Sequence, residues 1–235
     1  MKKLFFITTT LFFSLIFFHA NAQKIGTFGS SVTESAGPVI IHIPYHDVIS
    51  YLGYVKEGTE DETRDGKKFY YLYVWIPAYA PELGVRMMSP ANNVKVTNPI
   101  VSKAYEENKS SKDFFDTYIT LEKSDIFDPS DVTNENVTNA TWIILDSNDD
   151  SHEMPKQPNH KRYNSLLRYG NLNGSADEAL IVGLYRIGFT SYKKGDVKGT
   201  FLAQIGSPVK LDGVAIAKTI DELRKQMNLQ EKEDK

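Results

Sequence analysis

Residues 69–76 read FYYLYVWI, an unbroken run of aromatic and branched apolar side chains. Successive side chains of a β-strand point to opposite faces, so a strand of this composition is apolar on both faces. Such a strand has to be covered on both sides, which predicts a central strand of a β-sandwich. Pro77 and Pro81 follow and end the strand, because proline has no N–H to donate to a sheet.

Similar short runs lie along the rest of the chain and alternate with polar turn clusters. They are rich in β-branched and aromatic residues, and they occupy residues 39–43, 48–55, 83–88, 114–121, 140–145, 181–192 and 197–205. The sequence KKGD at 193–196, between the last two, predicts a hairpin turn. Short polar connections favour antiparallel pairing over βαβ units. We therefore predict an all-β, mainly antiparallel β-sandwich with a few peripheral helices.

Helical signals are few and concentrate at the C-terminus. Residues 101–108 predict a short helix, and residues 124–137 are too polar to assign. Thr219 and Glu222 form a capping box, with the hydroxyl residue at the N-cap and the acid three positions later. An apolar stripe at Ile220, Leu223 and Met227 then predicts a C-terminal helix over about residues 219–233.

The N-terminus has the three parts of a secretory signal. Lys2 and Lys3 precede an apolar run at 4–18, and ANA at 20–22 provides the small residues of a cleavage site. We predict that residues 1–22 are a signal peptide and that the mature protein begins at Gln23. Residues 23–235 show no repeat and no sign of a second domain, which predicts a single exported domain.

Composition excludes several classes of function. Cysteine is absent, which excludes disulfides, thiolate zinc sites and cysteine nucleophiles. A net charge of −3 argues against a nucleic-acid-binding protein, which usually carries a basic patch. No G-x-S-x-G nucleophile motif occurs. We expect the protein not to be an enzyme; a hydrolase would need paired carboxylates or a histidine-based dyad in a cleft.

One face of the strand at 69–76 carries an aromatic row, which has two interpretations. The row consists of Phe69, Tyr71, Tyr73 and Trp75. An exposed row would be a stacking platform for carbohydrate, whereas a buried row would be part of the sandwich core. The core interpretation is favoured, because aromatic side chains commonly supply buried area.

Two further groups of polar residues have simple explanations. His42 and His46 would share one face of a strand and could pair on a metal, but no third ligand is near them. A polar strand face is therefore the favoured interpretation. The acidic residues at 60–62 lie in a segment rich in turn formers, which predicts a solvated loop.

The segment LDSNDDSHE at 145–153 crowds oxygen ligands together directly after a predicted strand. Ca²⁺ takes six to eight oxygen ligands from carboxylates, carbonyls and hydroxyls. Asp146, Asn148 and Asp150 match half of an EF-hand loop, but Ser151 stands where the glycine is required and Gln157 where the bidentate glutamate is required. We reject the EF-hand. The residues themselves leave a different calcium site and a solvated acidic loop equally open.

Five segments together resemble the family of the major surface lipoprotein of pathogenic leptospires. They occur in family order and cover most of residues 48–206, at 50–58 (SYLGYVKEG), 67–90 (KKFYYLYVWIPAYAPELGVRMMSP), 114–123 (FFDTYITLEK), 161–168 (KRYNSLLR) and 184–206 (LYRIGFTSYKKGDVKGTFLAQIG). The resemblance implies a calcium-binding jelly-roll β-sandwich with peripheral helices.

The resemblance also implies a ligand set for Ca²⁺. It assigns the metal site to Asp116, Thr117, Asp149, Asp150 and Tyr163. Asp116 and Asp149 would supply carboxylate oxygens, and Thr117 both a hydroxyl and a carbonyl. Asp150 and Tyr163 would contribute backbone carbonyls. We expect the ion to have a structural role, not a catalytic one.

The resemblance finally implies an adhesion or interaction module. Family members bind extracellular-matrix proteins such as laminin, collagen and fibronectin. The family's type member carries a lipid-modified cysteine and this sequence has none, so we expect no lipid anchor and a periplasmic or secreted protein, with attachment to the cell surface left open. A carbohydrate- or polymer-binding module is the alternative, because jelly rolls that bind Ca²⁺ often have this function.

Overall fold

The computed structural model describes residues 27–92, 94–170 and 180–233, and two β-sheets form its body. Buried apolar side chains from both sheets, such as Leu72, Val85 and Ile187, pack into one cluster between them. The fold is therefore the β-sandwich expected from the sequence. The predicted signal peptide, residues 1–22, lies outside the described residues.

Thirteen strands and three helices make up the described part of the chain. The strands are β1 Gly29–Ala36, β2 Val39–Pro44, β3 Asp47–Val55, β4 Glu62–Arg64, β5 Lys67–Ile76, β6 Glu82–Met88, β7 Ile100–Val101, β8 Thr117–Ser124, β9 Trp142–Asn148, β10 Ser165–Gly170, β11 Gly183–Ser191, β12 Gly199–Ser207 and β13 Ala215–Ala217. The helices are α1 Lys103–Asn108, α2 Asn134–Asn139 and α3 Ile220–Glu233, and a single 3-10 turn occupies Pro129–Asp131.

The two sheets are almost entirely antiparallel. One has the order β10-β6-β12-β3-β7, and the other has the order β13-β5-β11-β8-β9 with β4 also beside β5. Only the short β3–β7 pair is parallel in the described sheets. From β5 onward the chain passes back and forth between the two sheets, as expected for a jelly roll. A separate two-stranded hairpin is formed by β1 and β2.

The segment at 193–196 does not form the predicted hairpin. The strand before it, β11, pairs with β5 and β8, whereas the strand after it, β12, pairs with β3 and β6 in the opposite sheet. The connection therefore crosses between the sheets. The prediction was wrong because turn residues show where a chain reverses direction, whereas the partner of each strand depends on the packing of both sheets.

Strand β5 is buried on both faces, as its composition predicts, but only one face looks into the space between the sheets. Leu72, Val74 and Ile76 belong to the cluster between the sheets. On the other face Trp75 is buried in a second cluster with residues of helix α3, and Tyr73 packs against that cluster half-buried. The aromatic row is thus covered from outside the sandwich.

The acidic residues at 60–62 are not simply a solvated loop. Glu62 lies in β4 beside β5 and is half-buried. Its carboxylate accepts hydrogen bonds from Arg64, and one oxygen lies 3.7 Å from a guanidinium nitrogen of Arg186. The sequence did not indicate these partners because Arg186 is more than a hundred residues away along the chain.

The C-terminal helix forms as its capping box predicts. The hydroxyl of Thr219 accepts a hydrogen bond from the backbone N–H of Glu222 at 3.3 Å. Ile220, Leu223 and Met227 are buried and face the second cluster, so α3 covers the outer side of β5. Among the described residues, no helix combines the length and the apolar character needed to cross a lipid bilayer.

Candidate metal centre

Three carboxylates meet where β8 begins and β9 ends. These strands are antiparallel, with Ile119 opposite Asn148, so the first residue of one lies near the last residue of the other. Asp116 directly precedes β8, and Asp149 and Asp150 directly follow β9. One oxygen from each of the three carboxylates lies within 4.8 Å of the others. The pairing of β8 with β9 therefore brings together residues that are more than thirty positions apart.

Thr117 and Tyr163 join this group through the backbone. Thr117 is fully buried, and its N–H donates to the carbonyl of Tyr163 at 2.9 Å. The hydroxyl of Thr117 and the side-chain amide of Gln157 also donate to that carbonyl, both at 3.2 Å. All five predicted residues thus lie at one place. We expected the Tyr163 carbonyl to face a cation, but it accepts hydrogen bonds from these three donors. To be a ligand it would have to share its lone pairs between the cation and those donors.

Ser165 is a further member of the site, which the sequence patterns above did not indicate. Its hydroxyl contacts the carbonyl oxygens of both Thr117 and Asp149, and it lies 2.9 Å from the hydroxyl oxygen of Thr117. A hydroxyl has a single proton, so it cannot satisfy both carbonyls. Ser165 lies two residues after Tyr163 in the same Tyr-Asn-Ser motif, which was the signal available in the sequence.

Buried acceptor oxygens without partners are the main property of this centre. Within the described structure, Oδ1 of Asp116 and Oδ1 of Asp149 are buried and accept no hydrogen bond, and Oε1 of the almost fully buried Gln157 accepts none either. An unpartnered buried polar atom is costly, and more so when it is charged. Because oxygen is the ligand atom of hard cations, these residues fit a Ca²⁺ ion.

The electrostatics of the three carboxylates also favour a cation between them. Burial, together with the neighbouring carboxylates of Asp149 and Asp150, raises the pKa of Asp116 to about 6. Burial and the neighbouring Asp150 raise the pKa of Asp149, and burial raises that of Asp150. Lys67 and a second lysine, Lys193, partly offset these effects at Asp116. The three groups therefore repel one another when ionised, and a divalent cation between them would remove that repulsion.

Two residues of the rejected EF-hand pattern, Asp146 and Asn148, have structural hydrogen bonds instead. Asp146 accepts from the backbone N–H of Ser147 at 2.8 Å. The side-chain oxygen of Asn148 accepts from the N–H of Leu166 at 3.1 Å and so ties β9 to β10. Both residues remain outside the group of three converging carboxylates.

The histidine pair does not form a site of its own. Nε2 of His42 lies 3.2 Å from a carboxylate oxygen of Glu153, and its Nδ1 lies 2.7 Å from the carbonyl oxygen of Ser30. Neither contact involves His46, which is exposed. Among the described residues, the aspartate cluster is the only group of three or more His, Asp or Glu side chains that could hold a metal ion. His42 is therefore part of a polar strand face, as the sequence favoured.

Most of the chain matches a known protein family. The model of the Lipl32 family, described as a surface lipoprotein of the order Spirochaetales, matches residues 39–216. The match runs from β2 to β13, so it includes strands of both sheets and all five residues of the candidate metal centre. No curated protein matches the chain.

Proposed function

The chain belongs to the Lipl32 family of spirochaete surface lipoproteins, and on that premise we propose that it is an exported, non-enzymatic, calcium-binding interaction protein. The family match covers most of the chain and supports a role at the cell surface. The observation that carries the calcium proposal is the convergence of Asp116, Asp149 and Asp150, with two buried carboxylate oxygens that accept no hydrogen bond.

The proposed site lies at a junction between the two sheets. Asp116 and Asp149 flank strands β8 and β9 of one sheet, whereas Ser165 begins β10 in the other sheet and Tyr163 precedes that strand by two residues. The carboxylates of Asp116 and Asp149 would hold the ion. Asp150 and the backbone carbonyls that Ser165 contacts, those of Thr117 and Asp149, would complete its ligands. A bound Ca²⁺ would supply positive charge that neutralises the carboxylates. The ion would therefore hold the edges of both sheets together.

A direct test is the effect of Ca²⁺ on the stability of chelator-treated mature protein. A ligand that binds only the native state at a hundredfold excess over Kd adds about 2.7 kcal/mol to the free energy of unfolding. We expect Ca²⁺ to raise the melting temperature accordingly and to give a measurable heat of binding by calorimetry. Mg²⁺ should do much less, because it requires tight octahedral geometry and loses its water reluctantly.

Variants separate this site from a solvated acidic loop. Asp116→Asn and Asp149→Asn should each abolish the calcium-dependent shift, and each should leave the metal-free protein at least as stable, because each removes a charge from a repelling group. Asp146→Asn, in β9 three residues before Asp149, is the matched control and should keep the shift. Tyr163→Phe should also keep it, since only its backbone is involved. Absence of any heat and any shift at millimolar Ca²⁺ would leave the solvated loop as the explanation.

The partners that we propose are extracellular-matrix proteins or glycans. Family membership supports a surface role, and the residues 1–22 of the sequence support export to the periplasm or the exterior. The 235 residues contain no cysteine to carry a thioether-linked lipid. Binding of the mature protein to immobilised laminin, collagen and fibronectin, with Ca²⁺ or with chelator, tests the adhesion proposal; failure on all three surfaces in both conditions contradicts it.

The aromatic row of β5 does not support the alternative function, which is binding of a carbohydrate or polymer. Phe69, Tyr71 and Trp75 are each at most 5% exposed, so this aromatic row offers no open platform on which a sugar ring could stack. A carbohydrate-binding function would have to use another face of the protein.

A further inference from the structure

The outer face of the five-stranded sheet contains a cavity with a cationic lining. Its volume is about 260 Å³, which is large enough to hold several water molecules. Side chains from β3, β6 and β12 form its floor, and a loop before β7 forms its wall. The lining residues are Val48, Ser50, Arg86, Lys95, Val96, Thr97 and Gln204. Among these described lining residues there is no aspartate or glutamate.

The arginine on the floor is held in a fixed position. Arg86 is 8% exposed, and its guanidinium carbon lies 4.4 Å from the centre of the Phe28 ring. Its Nε donates to Oε1 of Gln204 at 2.8 Å. Because Oε1 is the acceptor in that bond, the amide nitrogen of Gln204 is free to donate, and it donates to the hydroxyl of Ser50 at 2.7 Å.

This chain of hydrogen bonds leaves a buried donor at the cavity. The Ser50 oxygen accepts from Gln204, and within the described structure its own proton has no acceptor, although the residue is only 4% exposed. Lys95 and Thr97 are exposed at the wall and bring an ammonium group and a second hydroxyl. Ser50, Thr97 and Lys95 can donate hydrogen bonds into the cavity, and Arg86 adds a second positive charge to its lining. A ligand with several acceptor oxygens and a negative charge would complement this lining.

We propose that this cavity binds an oxyanion group, sulfate or phosphate, either as the free ion or as an ester on a larger ligand. The site is separate from the candidate metal centre, and the proposal goes beyond the calcium-dependent function. The space exceeds that of a lone oxyanion, so it also has room for part of the molecule that carries the ester. Arg86 and Lys95 place two positive charges in the lining, and this charge favours an anionic group.

The charge environment of Arg86 agrees with this assignment. Burial lowers its pKa to about 10, and the nearby guanidinium of Arg168 contributes to that lowering. Both effects act against the charged form of Arg86. An anion in the cavity would act in the opposite direction, so the arginine and the ligand would stabilise one another.

The test is calorimetry of the mature protein with four separate probes at low ionic strength: inorganic sulfate, inorganic phosphate, a sulfated heparin-derived tetrasaccharide and the same tetrasaccharide without sulfate. We expect at least one of the first three to bind and the sulfate-free saccharide not to bind. Binding by the free ions identifies a simple oxyanion site, whereas binding by the sulfated saccharide alone identifies a site for the ester. Raising NaCl to physiological concentration should weaken the binding.

Variants tie the binding to this cavity. A hydrogen bond to a charged group is commonly worth a factor of about ten or more in affinity, so Ser50→Ala should weaken binding by about tenfold. Lys95→Ala should weaken it by about threefold, because an exposed charge is screened. Lys225→Ala, on the exposed side of α3, is the matched control and should change nothing. Arg86→Gln should abolish binding, with circular dichroism to show that the variant folds.

Several results would overturn the proposal. The first is that none of the three anionic probes binds at about 10 mM, a concentration at which even weak specific binding would be detected. The second is that the saccharide binds equally well with and without sulfate. The third is that neither Ser50→Ala nor Lys95→Ala changes the affinity. A loss in Lys225→Ala as large as that in Lys95→Ala would show non-specific attraction to positive charge and would also reject the site. Since the two principal variants change small or exposed side chains, these readings do not depend on whether Arg86→Gln folds.

Discussion

Glu122 illustrates at the scale of one residue how partners decide the charge of a buried group. Its side chain is 1% exposed, and its carboxylate lies 2.9 Å from Arg64 and 2.7 Å from Arg186. The hydroxyl of Thr120 also donates to it, at 2.7 Å. Burial alone would raise its pKa, but these donors together hold the pKa below its ordinary value. The Arg186 guanidinium is in turn stacked between the rings of Tyr71 and Trp142.

Replacing this carboxylate should destabilise the protein in a pH-dependent way. Breaking a buried ion pair by removing one partner costs about 3–5 kcal/mol, so Glu122→Gln should lower the free energy of unfolding by about 3 kcal/mol at pH 7. A depressed carboxylate pKa contributes stability that is present above the ordinary pKa, near 4.5, and is lost as the pH falls through the lower, folded-state value. The difference between wild type and variant in urea unfolding should therefore shrink below pH 4.5.

An exposed pair provides the control for this measurement. Glu106 lies 3.0 Å from Lys109 on the surface of α1, with both side chains more than half exposed. Glu106→Gln should change the free energy of unfolding by less than about 1 kcal/mol, because surface ion pairs contribute little. A loss in Glu122→Gln that stays constant from pH 7 to pH 3 would show that its cause is packing and not charge.

At the scale of elements, strand β5 and helix α3 stabilise each other. The alternation of side chains places one row of β5 between the sheets and the other row outside, where water would reach it if α3 were absent. The apolar stripe of α3 supplies the cover. This explains why a strand can be apolar on both faces near the outside of a two-layer sandwich.

Truncation of the covered tryptophan tests that packing. Trp75 is 5% exposed and lies in the cluster with Leu223 of α3. Loss of a large buried aromatic side chain costs about 3–5 kcal/mol, so Trp75→Ala should lower the free energy of unfolding by this amount. Tyr79→Ala, where the ring is 57% exposed, is the control and should cost less than about 1 kcal/mol. A cost below 1 kcal/mol for Trp75 as well would mean that α3 does not cover the strand in solution.

At the scale of the whole molecule, the candidate metal centre and the cationic cavity use different parts of one sandwich. The metal centre lies where the edges of the two sheets meet, so an ion there would act on the stability of the entire domain. The cavity lies on the outer face of one sheet, whose interior strands are fixed by the core. Ligands at the two places can therefore be tested separately.

The maturation of the chain gives a prediction for the whole protein. The basic residues, the apolar run and the small residues of positions 1–22 predict removal of that segment on export. The intact mass of protein isolated from its natural host should correspond to a chain that begins at Gln23. The mature protein should also partition into the aqueous phase of a detergent extraction. A mass that still includes residues 1–22 would contradict the prediction.

The sequence by itself determined the elements whose signals are local. Alternating apolar runs predicted eight of the strands to within a few residues, and the capping box of Thr219 predicted α3, because strand and helix periodicity follow from neighbouring side chains. Short or polar strands such as β4, β7 and β10 carry no such pattern and were not predicted. The resemblance to a known family supplied the five residues of the candidate metal centre, whereas the residues alone left a calcium site and a solvated loop equally open.

Only the tertiary structure decided which elements meet. It placed β11 and β12 in opposite sheets, put α3 over the outer face of β5, and joined Glu62 to Arg186. It also brought Ser165 to the carboxylates and Ser50 to Arg86 through Gln204. These contacts join residues that are distant in the chain, and their formation depends on how the whole core packs. Local patterns in a single sequence cannot specify such contacts, because many arrangements of the same strands satisfy the same pattern.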